Sequence, residues 1–173
     1  MENFNDHYIL RPAQNADQHK IWEILQEAIM RRKIDGSNQW QDGYPNEGTV
    51  LNDISKNYGY VLEIKGEIAA YTALIFDKEP AYETEEVQWL SNDAYAVVHR
   101  VAVSQQFVGQ GIAKKLFEKL EEIVKSKQVF SIKVDTNFDN IPMLKILEKL
   151  NYKYCGDVYL RGSARKAFEK IVS

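Results

Sequence analysis

The stretch QQFVGQGIA, residues 105–113, places two glycines between an apolar run and a long amphipathic pattern. Gly109 and Gly111 suit a turn that brings the backbone close to a ligand, because glycine has no side chain and accepts positive φ angles. The first amides of a helix lack carbonyl partners and lie at the positive end of its dipole, so such a turn can bind an anion. A turn that merely starts a helix is the alternative, and the neighbouring elements distinguish the two.

Strands and helices alternate around the glycines. YAVVHRVAV, residues 95–103, is apolar and β-branched, which predicts a strand that runs into the motif. Apolar residues recur at helical spacing over residues 109–125, which predicts a helix after it. The other predicted elements are a strand at 8–13, a helix capped by Asp17, a loop at 35–48, a short helix near 49–56, a hairpin turning at Lys65-Gly66, a strand at 130–136, a helix at 140–150, a strand at 152–160 and a strand or helix at 164–172.

This order of elements predicts a single domain over residues 1–173 in the α+β class, with a central, mostly antiparallel mixed sheet flanked by helices. A chain of 173 residues that is 45% hydrophobic can bury a core of that size. Its net charge of -3 and the lack of a basic run argue against nucleic acid or an anionic membrane as a partner. A small molecule or a peptide fits better.

The single cysteine, Cys155, excludes an intramolecular disulfide, and its surroundings predict no metal-ligand cluster. The N-terminal residues MENFNDHYIL lack the basic start and apolar stretch of a secretory signal. No apolar run approaches the roughly 20 residues that span a bilayer. We therefore expect a cytoplasmic protein without a metal.

Two phosphate-binding motifs do not fit the glycine stretch. A dinucleotide fingerprint fails because Lys114 stands where the third glycine belongs and five residues separate Val103 from Gly109. Only 38 residues follow Asp135, the candidate ribose ligand, which is too few for the rest of a doubly wound sheet. The P-loop pattern GxxxxGK[ST] is absent.

Gln106 to Gly111 resembles instead the acyl-CoA signature Q/R-x-x-G-x-G/A of the GNAT superfamily of N-acetyltransferases. The resemblance covers most of the chain, since the strand before the signature, the helix after it and the next strand occur in that family's order. DNIPMLKILEKLNY, residues 139–152, is similar to the family's N-x-x-A-x-x-L-Y-x-x-x-G-F pattern. Asn140 stands at its start, and Asn151-Tyr152 replaces the usual Gly-Phe.

The resemblance implies acetyl-CoA as co-substrate. Its pyrophosphate would lie on the amides of residues 107–113, and its pantetheine would pair like an added strand with the backbone of residues 101–103, where the strands splay apart. Asn137 and Asn140 would contact the pantetheine arm or order the loop, or else cap the helix near Ile141. The implied cofactor-binding residues are Val101, Ala102, Val103, Gln106, Phe107, Val108, Gly109, Gln110, Gly111, Ile112, Ala113, Asn137 and Asn140.

The implied reaction is direct attack of a primary amine of a small molecule or peptide on the thioester, without an acyl-enzyme. Strand alternation places Tyr95, Val97, His99, Val101 and Val103 on one face and Arg100 on the other. His99 is the first candidate for the base, because family members often carry a Glu or His on this strand and histidine titrates in the useful range. A buried histidine that only bonds a neighbour is the alternative. The backbone N–H near Val101 would stabilise the oxyanion.

The sequence offers two candidates for the residue that protonates the departing thiolate. The family's helix pattern usually supplies a tyrosine where this chain has Leu147. Tyr152 and Tyr154 are the nearest candidates in sequence, with core packing as their alternative role. Cys155 has no legible Cys-His-Asp arrangement around it and suits a small buried hydrophobe.

The acceptor amine is expected near NQWQDGYP, residues 38–45. Trp40 and Tyr44 offer flat apolar surface there, and Asp42 offers charge for an ammonium. A loop that only closes over the core would use the same aromatic residues.

Two function classes follow from the sequence. One is an N-acetyltransferase, and the other is a non-catalytic acetyl-CoA-binding sensor module of the same fold, which Leu147 at the tyrosine position favours. A homodimer through the β-rich C-terminal segment is a further possibility.

Overall fold

The computed structural model describes residues 7–173. The first six residues, part of the stretch tested for a signal sequence, lie outside the described residues. The helices are α1 Gln18–Ile34, α2 Glu47–Ser55, α3 Ile112–Ser126 and α4 Ile141–Lys149, and the strands are β1 Tyr8–Pro12, β2 Gly59–Ile64, β3 Glu67–Ile75, β4 Ala96–Val103, β5 Ser131–Thr136, β6 Lys153–Leu160 and β7 Ser163–Ile171. None of the helices in the described part is long and apolar enough to cross a membrane.

The strands hydrogen-bond in the order β1-β2-β3-β4-β5-β7-β6. β4 and β5 are parallel, whereas β1–β2, β2–β3, β5–β7 and β6–β7 are antiparallel. The predicted α+β class with a mostly antiparallel mixed sheet flanked by helices is therefore confirmed. The segment at 164–172, predicted as a strand or a helix, is a strand.

The chain forms two compact units. One contains the chain up to Leu74 together with Arg100–Lys119, and the other contains Ile75–His99 and Leu120–Ser173. β4 runs from the second unit into the first. The core of the first unit consists of Ile21, Ile24, Leu25, Ala28, Val50, Ile54, Val61, Tyr71 and Ala102. The core of the second unit includes Tyr82, Val87, Tyr95, Val97, Cys155, Val158 and Ala167.

The start of α1 differs from the prediction that Asp17 caps it. The Asp17 carboxylate makes no cap bond to α1 and instead accepts a hydrogen bond from the Gln14 amide at 2.7 Å. Two nitrogens of the Arg11 guanidinium also donate to it, at 2.8 and 2.9 Å. These Arg11 bonds lower the pKa of Asp17. A neighbouring arginine has therefore outcompeted the local amides of the helix for this carboxylate.

The starts of α2 and α3 also differ from the predicted positions. Asn46 accepts a hydrogen bond from the Thr49 amide at 3.1 Å, so α2 begins at Glu47 rather than near residue 49. α3 begins at Ile112, three residues later than the predicted 109, because Gly109 and Gly111 have φ angles of +81° and +73°. A right-handed helix cannot contain such residues.

Candidate active site

The glycine turn leads directly into α3. The Lys115 amide donates to the Gly111 carbonyl at 3.2 Å, so Gly111 is the cap residue immediately before the helix. By helix geometry, the amides of Ile112, Ala113 and Lys114 have no carbonyl partner within α3. The structure thus brings together, in the first unit, the amides that the sequence predicted to bind an anion.

The space over the turn is open. A Cβ placed on Gly109 or Gly111 would meet no atom within 4 Å. The side-chain amide of Gln110 donates to the Gln106 carbonyl at 3.2 Å and closes the turn from one side. At the two glycines no side chain crowds the backbone, and a turn of this kind at the start of a helix is suited to an anion.

β4 separates from β5 after a short pairing. Within residues 7–173 the two strands pair only through Ala96 to Val98, although β4 continues to Val103. On the opposite edge the Ser104 amide, just beyond β4, donates to the Ala69 carbonyl of β3 at 2.8 Å. The backbone of residues 101–103 therefore has one edge that β5 does not occupy, as the predicted splay requires.

The Arg31 guanidinium lies at the end of β4. It donates to the Val103 carbonyl at 2.7 Å and to the Gln105 side chain at 2.8 Å. Burial lowers the pKa of Arg31. A pantetheine arm pairing with this stretch would share the Val103 carbonyl with Arg31, which is possible because a carbonyl oxygen has two lone pairs.

Arg100 departs from regular strand geometry, with a φ of +56°. Two of its nitrogens donate to the Asp53 carboxylate at 2.6 and 2.8 Å, and a third donates to the Tyr44 hydroxyl at 2.6 Å. The Tyr71 hydroxyl donates to the same carboxylate at 2.5 Å. Sequence reasoning missed this cluster, although an arginine inside an apolar strand is a signal, because such a charge needs a buried partner.

His99 lies in the second unit beside two carboxylates. Its Nε2 is 3.7 Å from Glu79 Oε2, and its Nδ1 is 4.0 Å from Asp135 Oδ2. The side chain is 16% exposed, and its ring centre lies 6.4 Å from that of Tyr82. Tyr82, Tyr95 and Val97 share a core cluster, so His99 lies on the face that strand alternation predicts.

Asp135 is held by two further side chains. Arg165 Nε donates to its Oδ1 and the Tyr82 hydroxyl donates to its Oδ2, both at 2.5 Å. Burial first, and then the charge of Asp135, raise the pKa of Tyr82 well above its ordinary value, so that hydroxyl stays protonated. Sequence reasoning did not connect Glu79, Tyr82 or Arg165 with His99, because nothing in their spacing indicates that they meet.

The two asparagines predicted to contact pantetheine, Asn137 and Asn140, both precede α4. Asn140 precedes the helix, and its side-chain oxygen accepts a hydrogen bond from the Met143 amide at 3.4 Å. Asn137 donates through its side chain to Asp139 at 2.5 Å. Both asparagines are buried. The structure thus shows the capping alternative for Asn140, while the contact with pantetheine stays a prediction for both.

The two candidate acids differ in exposure. Tyr152 is buried, which raises its pKa, and Lys170 Nζ lies 5.8 Å from its ring centre. Tyr154 is 55% exposed, and the hydrogen bond from its hydroxyl to Asp157 raises its pKa. Leu147, at the family's tyrosine position, is fully buried. Their roles as acids stay predictions.

Cys155 is buried in the second unit's core. Burial raises the pKa of its thiol, which keeps it protonated and poorly nucleophilic.

The predicted acceptor loop lies in the first unit. Trp40 packs against the apolar core there, while Asp42 is exposed and accepts a long hydrogen bond, 3.4 Å, from the Tyr44 amide. The Tyr44 hydroxyl faces Arg100. The structure brings these residues into one loop, and their contact with an acceptor stays a prediction.

Comparison with known proteins gives consistent results. The profile of the Acetyltransferase (GNAT) family matches residues 20–152. A crystal structure of a GNAT-family acetyltransferase from Streptococcus agalactiae 2603 is similar over 96% of both chains, with 35% identity and a TM-score of 0.88. The uncharacterised N-acetyltransferase YesJ of Bacillus subtilis (strain 168) is 24% identical over 99% of this chain and 94% of its own length.

A more distant structure contains a ligand. The structure of yncA from Salmonella typhimurium, solved with its cofactor acetyl-CoA, is similar over 96% of this chain and 95% of its own. Its identity is 14% and its TM-score is 0.68, so this likeness shows a shared fold.

Proposed function

The chain belongs to the acetyltransferase (GNAT) family, and from that premise we propose that it is an N-acetyltransferase. It transfers the acetyl group of acetyl-CoA to a primary amine of a small molecule or peptide, by direct attack and without an acyl-enzyme. The observation that carries the proposal is the glycine turn at 109–111, which has open space at the Cβ positions of both glycines and leads directly into the first amides of α3. A protonated, buried Cys155 supports a mechanism without a cysteine nucleophile.

The chain's own groups suit each part of the coenzyme. The amides of residues 108–113 hold the pyrophosphate, whereas the Phe107 amide, also expected there, donates to the Ser104 carbonyl at 2.9 Å. The edge of residues 101–103 that β5 does not occupy pairs with the pantetheine, and Asn137 and Asn140 contact that arm. Acetyl-CoA supplies an acetyl group that is already activated as a thioester. The acetyl-CoA in the similar fold from Salmonella typhimurium supports this assignment.

His99 is the proposed base. An alkyl ammonium has a pKa of about 10.4 and must lose a proton before its nitrogen can attack. The His99 imidazole accepts that proton, and the carboxylates of Glu79 and Asp135, 3.7 and 4.0 Å away, stabilise the positive charge that results.

The Val101 amide is the proposed oxyanion donor. It follows His99 by two positions on β4, and it donates to the carbonyl oxygen as negative charge develops there. The departing thiolate then takes a proton. We propose Tyr154 or solvent for this step ahead of Tyr152, because the Tyr154 side chain is exposed and the Tyr152 side chain is buried.

The direct test is release of free thiol from acetyl-CoA in the presence of polyamines, amino acids, aminoglycosides or peptides. We expect release that depends on one of these amines, and mass spectrometry of the product should show an added acetyl group on nitrogen. The fully buried Leu147 at the usual tyrosine position favours the second candidate, a sensor module. Calorimetric binding of coenzyme A without turnover on any amine would support that sensor.

The glycine turn provides a separate prediction. Gly111→Ala should destabilise the protein by about 1–2 kcal/mol, because a Cβ is unfavourable at a positive φ. It should also raise the Kd for coenzyme A about tenfold, or 1.4 kcal/mol, because the methyl group enters the space proposed for the pyrophosphate. Thermal unfolding and calorimetry measure the two effects.

Gly162 offers a matched control for that variant. Its φ is +74°, and a Cβ there would also meet no atom within 4 Å. Gly162→Ala should therefore cost similar stability and leave coenzyme A binding unchanged. Equal affinities in the two variants would argue against the pyrophosphate site.

The expectations about partners and location stay proposals. We propose a cytoplasmic enzyme with no nucleic-acid or membrane partner. A homodimer would use β6, which is at the end of the strand order and exposes Tyr154 and Tyr159.

A further inference from the structure

Arg100 is held in an unusual backbone conformation. A φ of +56° is rare for a residue with a side chain and persists only where the surroundings enforce it. The peptide group that leaves Arg100 carries the Val101 N–H, so the backbone angles of Arg100 determine where that N–H points. Any contact that restrains Arg100 therefore also restrains the proposed oxyanion donor.

On the side of β4 that faces β5, the hydrogen bonds of the sheet do not restrain Arg100. Among residues 7–173, pairing between β4 and β5 ends at Val98, two residues before Arg100. A backbone that no neighbouring strand holds on that side needs another anchor to keep a single conformation.

The Asp53 carboxylate is that anchor. It receives Arg100 Nη2 on Oδ1 at 2.6 Å and Arg100 Nε on Oδ2 at 2.8 Å, an arrangement that fixes the plane of the guanidinium. The Asp53 side chain is only 1% exposed, and the buried Tyr71 hydroxyl donates to it as well. Asp53 lies in α2, so a helix of the first unit fixes the side chain of a β4 residue.

We propose that Arg100 is a positioning residue, and that the Asp53–Arg100 pair holds the β4 backbone so that the Val101 N–H points at the reacting carbonyl. The inference rests on the proposed acetyl transfer. Tyr44, which accepts a hydrogen bond from Arg100 at 2.6 Å, connects the predicted acceptor loop to the same guanidinium. The Arg100 side chain thereby connects the backbone next to the oxyanion donor with the predicted acceptor loop.

Two variants test the pair. Asp53→Asn keeps the shape of the acceptor but removes its charge, and Arg100→Lys keeps the charge but removes the planar fork. We expect each to lower kcat about 10- to 100-fold, because a displaced oxyanion donor loses much of its effect. The KM for acetyl-CoA and the calorimetric Kd for coenzyme A should change less than about threefold, since the glycine turn is intact.

Asp17→Asn is the matched control. It breaks an arginine–aspartate fork of the same kind, with Arg11, in the same unit. This variant should lose stability without a change in kcat. Equal kcat losses in Asp17→Asn and Asp53→Asn, or a kcat within threefold of wild type in both Asp53→Asn and Arg100→Lys, would overturn the proposal.

A measurement without turnover separates this proposal from the proposed function. In ¹⁵N-labelled wild-type protein, the Val101 amide resonance should differ between the complexes with acetyl-CoA and with coenzyme A, because only the first brings the acetyl carbonyl. In Asp53→Asn or Arg100→Lys that difference should disappear. The positioning role is refuted if the Val101 resonance of the wild type is the same in both complexes, or if the variants show the same difference between the complexes as the wild type. Either result holds whether or not the enzyme turns over. If no amine is acetylated but the difference follows the expected pattern, only the proposed function fails.

Tyr71→Phe, which leaves the ion pair in place, serves if the other variants do not fold, and it should reduce the difference partially.

Discussion

Replacing His99 with glutamine will lower kcat about 10²- to 10⁴-fold, the range that general-base catalysis contributes. Glutamine fills much of the same volume but cannot accept a proton from an ammonium at neutral pH. Binding of coenzyme A should be unaffected, because the groups proposed to hold it are the amides of the glycine turn, the backbone of residues 101–103, Asn137 and Asn140, and the His99 side chain is not among them. Steady-state thiol release with the preferred amine measures the change in kcat.

The pH dependence distinguishes a base from a structural histidine. In His99→Gln, the remaining activity should rise with pH as more of the amine becomes deprotonated in solution, because the enzyme no longer removes the proton itself. His19→Gln is the matched control, since His19 is exposed in the first unit. Activity of His99→Gln within threefold of wild type would remove His99 as the base.

Replacing Asp135 with alanine should lower the free energy of unfolding by about 3–5 kcal/mol, the usual cost of leaving a buried charge without its partner. The Arg165 side chain is only 8% exposed and that of Asp135 only 2%, so solvent cannot replace the lost carboxylate. The Tyr82 hydroxyl would lose its acceptor in the same change. Urea unfolding with linear extrapolation measures the difference.

A double substitution tests whether the loss of stability in Asp135→Ala comes from the unpaired charge of Arg165. Asp135→Leu combined with Arg165→Met removes both charges, and it should be more stable than either single variant, because an apolar pair of similar volume leaves no buried charge. A loss under about 1 kcal/mol in Asp135→Ala would mean that water reaches Arg165 despite its burial.

Local signals in the sequence predicted most of the fold. The hairpin predicted at Lys65-Gly66 connects β2 and β3, and the helix predicted after Asp17 is α1, whose Ile21, Ile24, Leu25 and Ala28 lie in the first unit's core. Such patterns depend on residues a few positions apart, which is the range that backbone preference and helical periodicity cover. The signature Gln106 to Gly111 carried the family resemblance, which the matching profile confirms.

Errors arose at two helix starts, where side-chain pairing and backbone angles differed from the simplest local pattern. Asp17 was predicted to cap α1, but its carboxylate binds Arg11 and the Gln14 amide. The start of α3 was placed three residues early because the helical periodicity extends through the glycines while their φ angles do not.

By itself, then, the amino-acid order determined the class of the sheet, the family and the glycine turn that precedes α3. Only the tertiary structure decided which charges became partners: Arg100 with Asp53, 47 positions away, and Asp135 with Arg165, 30 positions away. Turn and helix preferences are properties of neighbouring residues, whereas the choice of a partner for a buried charge depends on which strands and helices the whole chain packs together.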